Sequence, residues 1–289
     1  MSELKDDLME IWNLSFHDDP DYIQNFLQFC ATEENTVVAR SPEGRVVSAA
    51  YLLDSQITVR GRQYSALYFY AAATHPDYRE QGYMGKVIDQ SLQLARDRGI
   101  DFVYLVPAEG ALYRYYAKFG FRTCFYSRTV NFTYEELQAA IKDNSIADLK
   151  TGDVDPMMFH ITDVPERREK ALAGTDHVSL GYPQMQYALF EHGICGGRIF
   201  CDGDSYALYS EDKGTVDVKE ICPPVLDGTM ARALLDLHAD KYRFHAPSEC
   251  GIEGRRKTVG RAGMAIALNK HARTATGQMQ NAYIGITLG

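Results

Sequence analysis

The stretch His75-Pro76-Asp77-Tyr78-Arg79-Glu80-Gln81-Gly82-Tyr83-Met84-Gly85, followed downstream by Tyr116-Ala117-Lys118-Phe119-Gly120-Phe121, decides how this chain folds. It begins where the run Ala66-Leu67-Tyr68-Phe69-Tyr70-Ala71-Ala72-Ala73 ends. A run apolar on both faces reads as a central strand. Beyond the glycine-bearing loop, Val87, Ile88, Leu92 and Ala95 recur at helical spacing, and Gly99 sits where a C-cap glycine belongs. Phe102 to Val106 then reads as a buried strand, so strand, helix and strand predict a parallel crossover. A loop that opens a helix leaves backbone N–H groups unpaired at the positive end of the helix dipole. The stretch is therefore either an ordinary strand-to-helix turn or a pyrophosphate site whose glycines admit phosphate to the backbone. Two familiar phosphate loops are excluded. Gly85-Lys86 is followed by Val87 rather than Ser or Thr, and the glycines at 82 and 85 do not make Gly-x-Gly-x-x-Gly.

The remaining sequence predicts a mixed α/β chain. Leu4, Leu8, Ile11 and Trp12 form one helical stripe, and Ile23, Phe26, Leu27 and Cys30 a second, which Asp19-Pro20 opens. Thr36–Arg40 and Arg45–Leu53 flank the turn at 41–44, and Gln56–Val59 and Tyr64–Ala73 flank a turn at 60–62. Leu112–Lys118 reads as a short helix, Phe121–Phe132 as closing strands and Tyr134–Lys142 as a helix. The polar stretch 142–156 places a domain boundary near residue 150, giving domains 1–150 and 151–289. In the second half, strands at 205–210 and 215–221, a helix at 229–239 and strands at 242–245, 264–268 and 282–288 repeat the earlier grammar.

Composition narrows the function. The 289 residues carry 30 Lys and Arg against 39 Asp and Glu, a net charge of −9, which argues against a nucleic-acid partner held through its phosphates. The six cysteines form no Cys-x-x-Cys and none lies at zinc-finger spacing from a histidine, so neither a metal site nor a disulfide framework is expected. The N-terminus is acidic without an apolar core, and no run of 18 apolar residues occurs. The expectation is a cytoplasmic protein with no membrane segment, its homo-oligomeric state open.

With Tyr116-x-Lys118-x-Gly120-Phe121 in place, the chain resembles the GNAT superfamily of acetyl-CoA-dependent N-acetyltransferases. His75-Pro76-x-Tyr78-Arg79-x-x-Gly82 looks like that family's cofactor motif, Arg/Gln-x-x-Gly-x-Gly/Ala, with Met84 at its last position. A bulky residue there, and the tandem organisation, are similar to the enhanced-intracellular-survival acetyltransferases, without their third domain. The second family signature, Asn-x-x-Ala-x-x-x-Tyr, falls on Glu109-x-x-Leu112-x-x-x-Tyr116. The tyrosine matches and the asparagine does not.

The resemblance implies two tandem domains of this fold, the second degenerate. It implies that acetyl-CoA enters where the strands 67–74 and 102–106 splay apart. Backbone groups of Ala72, Ala73 and Thr74 would pair with the pantetheine, and the loop Arg79, Glu80, Gln81, Gly82, Tyr83, Met84 and Gly85 would hold the pyrophosphate. An amine of a small molecule or peptide would attack the thioester directly, with Tyr116 as the acid that protonates the departing thiolate. Glu109, His75 and the acidic loop Asp18, Asp19 and Asp21 stay open as bases, each with a plain alternative: a solvated strand-end carboxylate, a turn histidine and helix caps. In the second half, Cys222-Pro223-Pro224 stands where a cofactor loop would follow a strand, and two prolines remove two N–H donors. That half is expected not to bind CoA. Two other functions remain: a CoA-binding sensor or scaffold without catalysis, kept open by Glu109, and an aminoacyl or peptidoglycan-type acyltransferase.

Overall fold

The computed structural model describes residues 4–143, 146, 163–202, 205–254, 256–279 and 281–288. The expected boundary at 150/151 and the terminal Gly289 lie outside the described residues. In chain order the elements are α1 (Lys5–Phe16), α2 (Pro20–Phe29), β1 (Thr36–Arg40), β2 (Val46–Val59), β3 (Arg62–Thr74), α3 (Tyr83–Asp97), β4 (Phe102–Leu105), α4 (Gly110–Ala117), β5 (Arg122–Thr133) and α5 (Tyr134–Lys142). They continue with α6 (Val164–Ala171), β6 (His177–Leu180), α7 (Tyr182–Ile194), β7 (Arg198–Asp202), β8 (Ser205–Asp212), β9 (Thr215–Cys222), α8 (Gly228–Leu235), β10 (Lys241–Ala246), β11 (Arg256–Ala267) and α9 (Lys270–Gln278).

The chain forms two compact units that do not follow a single cut. The first comprises Met1–Ile57, Gln63–Thr123 and Gly263–Gln278; the second comprises Thr58–Arg62, Cys124–Ala262 and Met279–Gly289. The first unit takes its last strand from far along the chain, because the end of β11 pairs antiparallel with β4, Met264 opposite Leu105 and Ala267 opposite Phe102. Asn269 then fixes the entry to α9: its side chain accepts from Ala272 N at 2.9 Å and donates to Asp101 Oδ1 at 2.6 Å.

Within the first unit the strands run β1, β2, β3, β4 and the end of β11. β3 and β4 are parallel, as the crossover predicts. The α3 stripe of Val87, Ile88, Leu92 and Ala95 packs on Val47, Leu67, Phe69 and Val103, which buries its apolar surface. α1 and α2 bring Trp12 and Phe26 together, 4.8 Å between ring centroids, and Phe26 meets Tyr51 and Tyr70 at 4.9 and 5.2 Å. β2 is one strand rather than the two expected. Asp54 and Gln56 face solvent while Ser55 turns inward to donate to the Ala66 carbonyl at 3.2 Å, so the polar interruption marks the outer face of a continuous strand.

Within the second unit the order is β5, β10, β9, β8 and β7. β9 and β10 are parallel around α8, repeating the strand, helix and strand of the first unit. Met230, Ala231 and Leu234 of α8 pack on Val216, Val218 and Phe244. Two expectations are corrected here. α8 ends at Leu235 rather than 239, and the segment 282–288 is no strand. It makes single bridges at Phe125–Ala282 and His177–Tyr283 and is otherwise held by side chains. Arg168, fully buried on α6, donates through Nη2 to the Ile284 carbonyl at 2.8 Å, and Glu220 accepts from Ile286 N at 3.1 Å.

Candidate active site

The site is built where β3 ends. Its parallel pairing with β4 runs Ala66–Phe102, Leu67–Val103 and Tyr68–Tyr104, while β3 continues to Thr74. Past Tyr68 the edge of β3 that faced β4 is therefore released from that ladder. Ala71 marks the departure with a φ of 46°, a left-handed conformation that costs a β-carbon residue energy and clusters at functional positions. Nothing in its residue type announces this. On the other side β3 stays tied to β2. Ser48 Oγ donates to the Ala73 carbonyl at 3.0 Å and lies 2.9 Å from Thr74 Oγ1, and His75 N donates to the Val47 carbonyl at 2.9 Å.

Of the backbone groups of Ala72, Ala73 and Thr74 expected to be free, the Ala73 carbonyl already accepts from Ser48 and the Thr74 carbonyl from Arg79 Nε at 3.2 Å. Arg79 thus folds back to brace the loop, and Gln81 does the same through its Nε2 bond to the Asp77 carbonyl at 3.1 Å. Glu80 and Gly82 carry the loop through left-handed φ values of 61° and 82°. A β-carbon at Gly82 would meet nothing within 4 Å, so the glycine serves its backbone angle and keeps the approach open.

The first ladder bond of α3 is Lys86 N to the Gly82 carbonyl at 3.2 Å. The N–H groups of Tyr83, Met84 and Gly85 precede it and belong to the helix end that attracts anions. The Tyr83 side chain is buried in the core and the half-buried Met84 side chain packs against it.

Tyr116 lies on α4, mostly buried. Its ring meets Phe69 at 6.3 Å, Phe121 at 5.9 Å and Tyr115 at 5.4 Å. Its hydroxyl has no hydrogen-bond partner among the described residues. Burial, and secondarily Tyr115, push the phenol above its ordinary pKa, so the group keeps its proton at neutral pH.

Three of the open base positions have structural employment. His75 is buried, with Nδ1 accepting from Asp77 N at 3.3 Å and Nε2 3.4 Å from Glu10 Oε1. Glu10 in turn pairs with Arg45, whose hydrogen bond holds the Glu10 carboxyl below its usual range. Asp18 accepts from Trp12 Nε1 at 2.8 Å, and Asp19 caps α2 by accepting from Asp21 N at 2.8 Å. Glu109 precedes α4 without capping it, and Asp21 is exposed. In the second unit, Asp227 caps α8 by accepting from Met230 N at 2.9 Å, so that helix start is closed by its own carboxylate.

Among the described residues no helix is long and apolar enough to cross a membrane, and no group of three or more His, Cys, Asp or Glu is placed to hold a metal ion. No curated protein matches the sequence. Several solved structures share the fold. A GCN5-related N-acetyltransferase from Kribbella flavida is 18% identical with a TM-score of 0.67, over 93% of this chain and 70% of that one. Eis1 from Mycobacterium abscessus is 16% identical with a TM-score of 0.67, over 95% and 73%. A GCN5-related N-acetyltransferase from Anabaena variabilis is 15% identical with a TM-score of 0.67, over 93% and 70%. The family profile described as an acetyltransferase (GNAT) domain matches residues 2–124, the part of the chain that carries the open strand, the glycine loop and Tyr116. The chain therefore contains a GNAT acetyltransferase domain and is an acyltransferase.

Proposed function

We propose that the protein moves an acetyl group from acetyl-CoA to an amine of a small molecule or peptide, by direct attack on the thioester. One observation carries the reading. The strand edge released after Tyr68 leads straight into the glycine loop and the free N–H groups of α3. An extended pantetheine arm needs the first and its pyrophosphate the second. In this reading the backbone of Ala72 pairs with the arm, and Tyr83, Met84 and Gly85 receive the pyrophosphate through backbone N–H groups. Arg79, Glu80 and Gln81 hold the loop in shape, with Gly82 at its turn. Tyr116 serves the departing sulfur.

The test has two steps. Acetyl-CoA at 100 times its dissociation constant should stabilise the protein by about 2.7 kcal/mol. Thiol release should then depend on which amine is offered from a panel. Stabilisation without thiol release for any amine would favour the sensor reading.

Two further outcomes follow. Gly82→Asp places a carboxylate at the helix start and should weaken acetyl-CoA binding tenfold or more, through lost dipole attraction and charge repulsion. Asp is among the side chains best able to take the left-handed angle, so the fold should persist. Undiminished affinity by calorimetry would move the cofactor elsewhere. The same titration on the wild type should return one site per chain. The Asp227-capped helix of the second unit and its Pro223-Pro224 lead-in support a second domain, 151–289, that has lost the cofactor site of the first, 1–150. A stoichiometry of two would overturn that assignment.

A further inference from the structure

The first unit holds a cavity of about 240 Å³ at the end of the sheet away from the glycine loop. Gly120, Ile266 and Ala267 line it together with Arg122, Arg273 and Thr276. Its position follows from register. Ala267 is opposite Phe102, and Phe102 is level with Ala66 of β3. From Ala66 to Thr74, where the cofactor loop begins, β3 rises roughly 26 Å at about 3.3 Å per residue. The cavity and the cofactor loop are thus separate places.

The chemistry of the cavity is cationic in an acidic protein. Neither the Arg122 nor the Arg273 guanidinium has an ion-pair or hydrogen-bond partner among the described residues. No acidic side chain lines the cavity, and α9, which supplies Arg273, carries Lys270 and His271 but no Asp or Glu. Thr276 spends its hydroxyl proton on the Ala272 carbonyl at 2.9 Å, so the side-chain donors presented to the cavity are guanidinium N–H groups. Two like charges on one small cavity repel, and an oxyanion between them removes the repulsion while accepting forked hydrogen bonds. The floor of Ala265, Ile266 and Ala267 is apolar and suits a short carbon skeleton. The volume lies just below the range of about 300–1,000 Å³ typical of drug-sized ligands.

We propose that the cavity between the start of β5, the end of β11 and α9 binds a small phosphate monoester, gripped by Arg122 and Arg273, at a site distinct from that of acyl transfer. Glycerol 3-phosphate is the probe, with glycerol and inorganic phosphate as comparisons, each titrated by calorimetry and by melting temperature. The ester is expected to bind the wild type and raise its melting temperature, while glycerol does neither. Arg122→Gln and Arg273→Gln should each weaken binding about ten- to a hundredfold, the cost of losing a charged hydrogen-bond donor, and the double variant should abolish it. Both side chains are exposed, so the unliganded double variant should melt where the wild type does. Gly82→Asp should leave binding of the ester intact. Ester binding that survives the double variant, or that vanishes in Gly82→Asp alone, would overturn the assignment, as would no binding at all. Inorganic phosphate binding as tightly as the ester would overturn the role given to the apolar floor.

Discussion

Tyr116→Phe is expected to lower turnover about 10²–10⁴-fold, the usual worth of a positioned general acid, while acetyl-CoA affinity stays near that of the wild type. The substitution removes one oxygen and keeps the ring among Phe69, Tyr115 and Phe121. The lost hydroxyl has no partner among the described residues, so no buried group is orphaned by its removal. A structural tyrosine would show the opposite pattern, a stability loss of roughly 1 kcal/mol for a missing hydrogen bond with turnover unchanged. The raised pKa adds a second signature. Burial keeps the phenol protonated beyond its usual value of 10.0, so ionisation of Tyr116 should not depress turnover below that pH. The rate should instead rise as the attacking amine loses its proton. A proton donor that stays protonated stabilises charge growing on the sulfur whether or not it transfers fully, which is why the chemical step and not binding should feel its loss. Kinetics and melting on one preparation separate the cases, and wild-type turnover in the variant would remove Tyr116 from the chemistry.

How much of this could be read in advance varied with the kind of signal. The strand, loop and helix around Gly82 were legible because each part carries its own pattern: an apolar run, glycines at the turn, then a stripe at 3.6-residue spacing. α7 was not, because Gln184, Met185, Tyr187, Ala188, Leu189, Glu191 and His192 are all buried and leave no polar face to set the period. α6 and α9 failed for the contrary reason. They bury only Val164 and Arg168, and Ala272 and Ala275, so no apolar stripe exists to be seen. The first half of β11 is exposed and polar, and only Met264 onward has the look of a strand. Within the candidate site, Tyr116 and the loop residues are proposed from their order along the chain. The left-handed angle at Ala71 and the Ser48 bond to β3 could not be, since an alanine and a serine in apolar strands carry no sign of either. The employment of His75 and Asp18 was equally hidden, because Glu10 and Trp12, their partners, come from another element.

Glu220→Leu is expected to be the most damaging single change in the second unit, at about 3–5 kcal/mol, because it strands a buried cation. Arg168 and Glu220 are both completely buried, with Arg168 Nε 3.1 Å from each Glu220 carboxylate oxygen. Burial works against the guanidinium charge, and the Glu220 carboxylate outweighs it, holding Arg168 above its ordinary pKa. The pair is also fully served by hydrogen bonds. Arg168 donates to the Val178 and Ile284 carbonyls at 2.6 and 2.8 Å, while Glu220 accepts from Tyr206 Oη at 2.8 Å and from Ile286 N at 3.1 Å. Three further segments, β6, β8 and the C-terminal stretch that forms no strand of its own, are thus tied to one ion pair between α6 and β9. Arginine cannot neutralise itself as a carboxylic acid can, so removal of Glu220 leaves its charge with two carbonyl partners and the more exposed Glu169 carboxylate at 3.8 Å. At roughly 2–4 °C per kcal/mol, the melting temperature should fall by about 6–20 °C. Adding Arg168→Met to Glu220→Leu should restore most of that loss, since replacing a buried pair by apolar groups is often near neutral. Gly285→Ala should act in the same direction as the single variant. Its β-carbon would stand 2.0 Å from Glu220 Oε2, at a φ of 70° that already disfavours alanine. A Glu220→Leu midpoint within about 1 kcal/mol of the wild type would mean that packing, not the ion pair, holds the C-terminal segment in place.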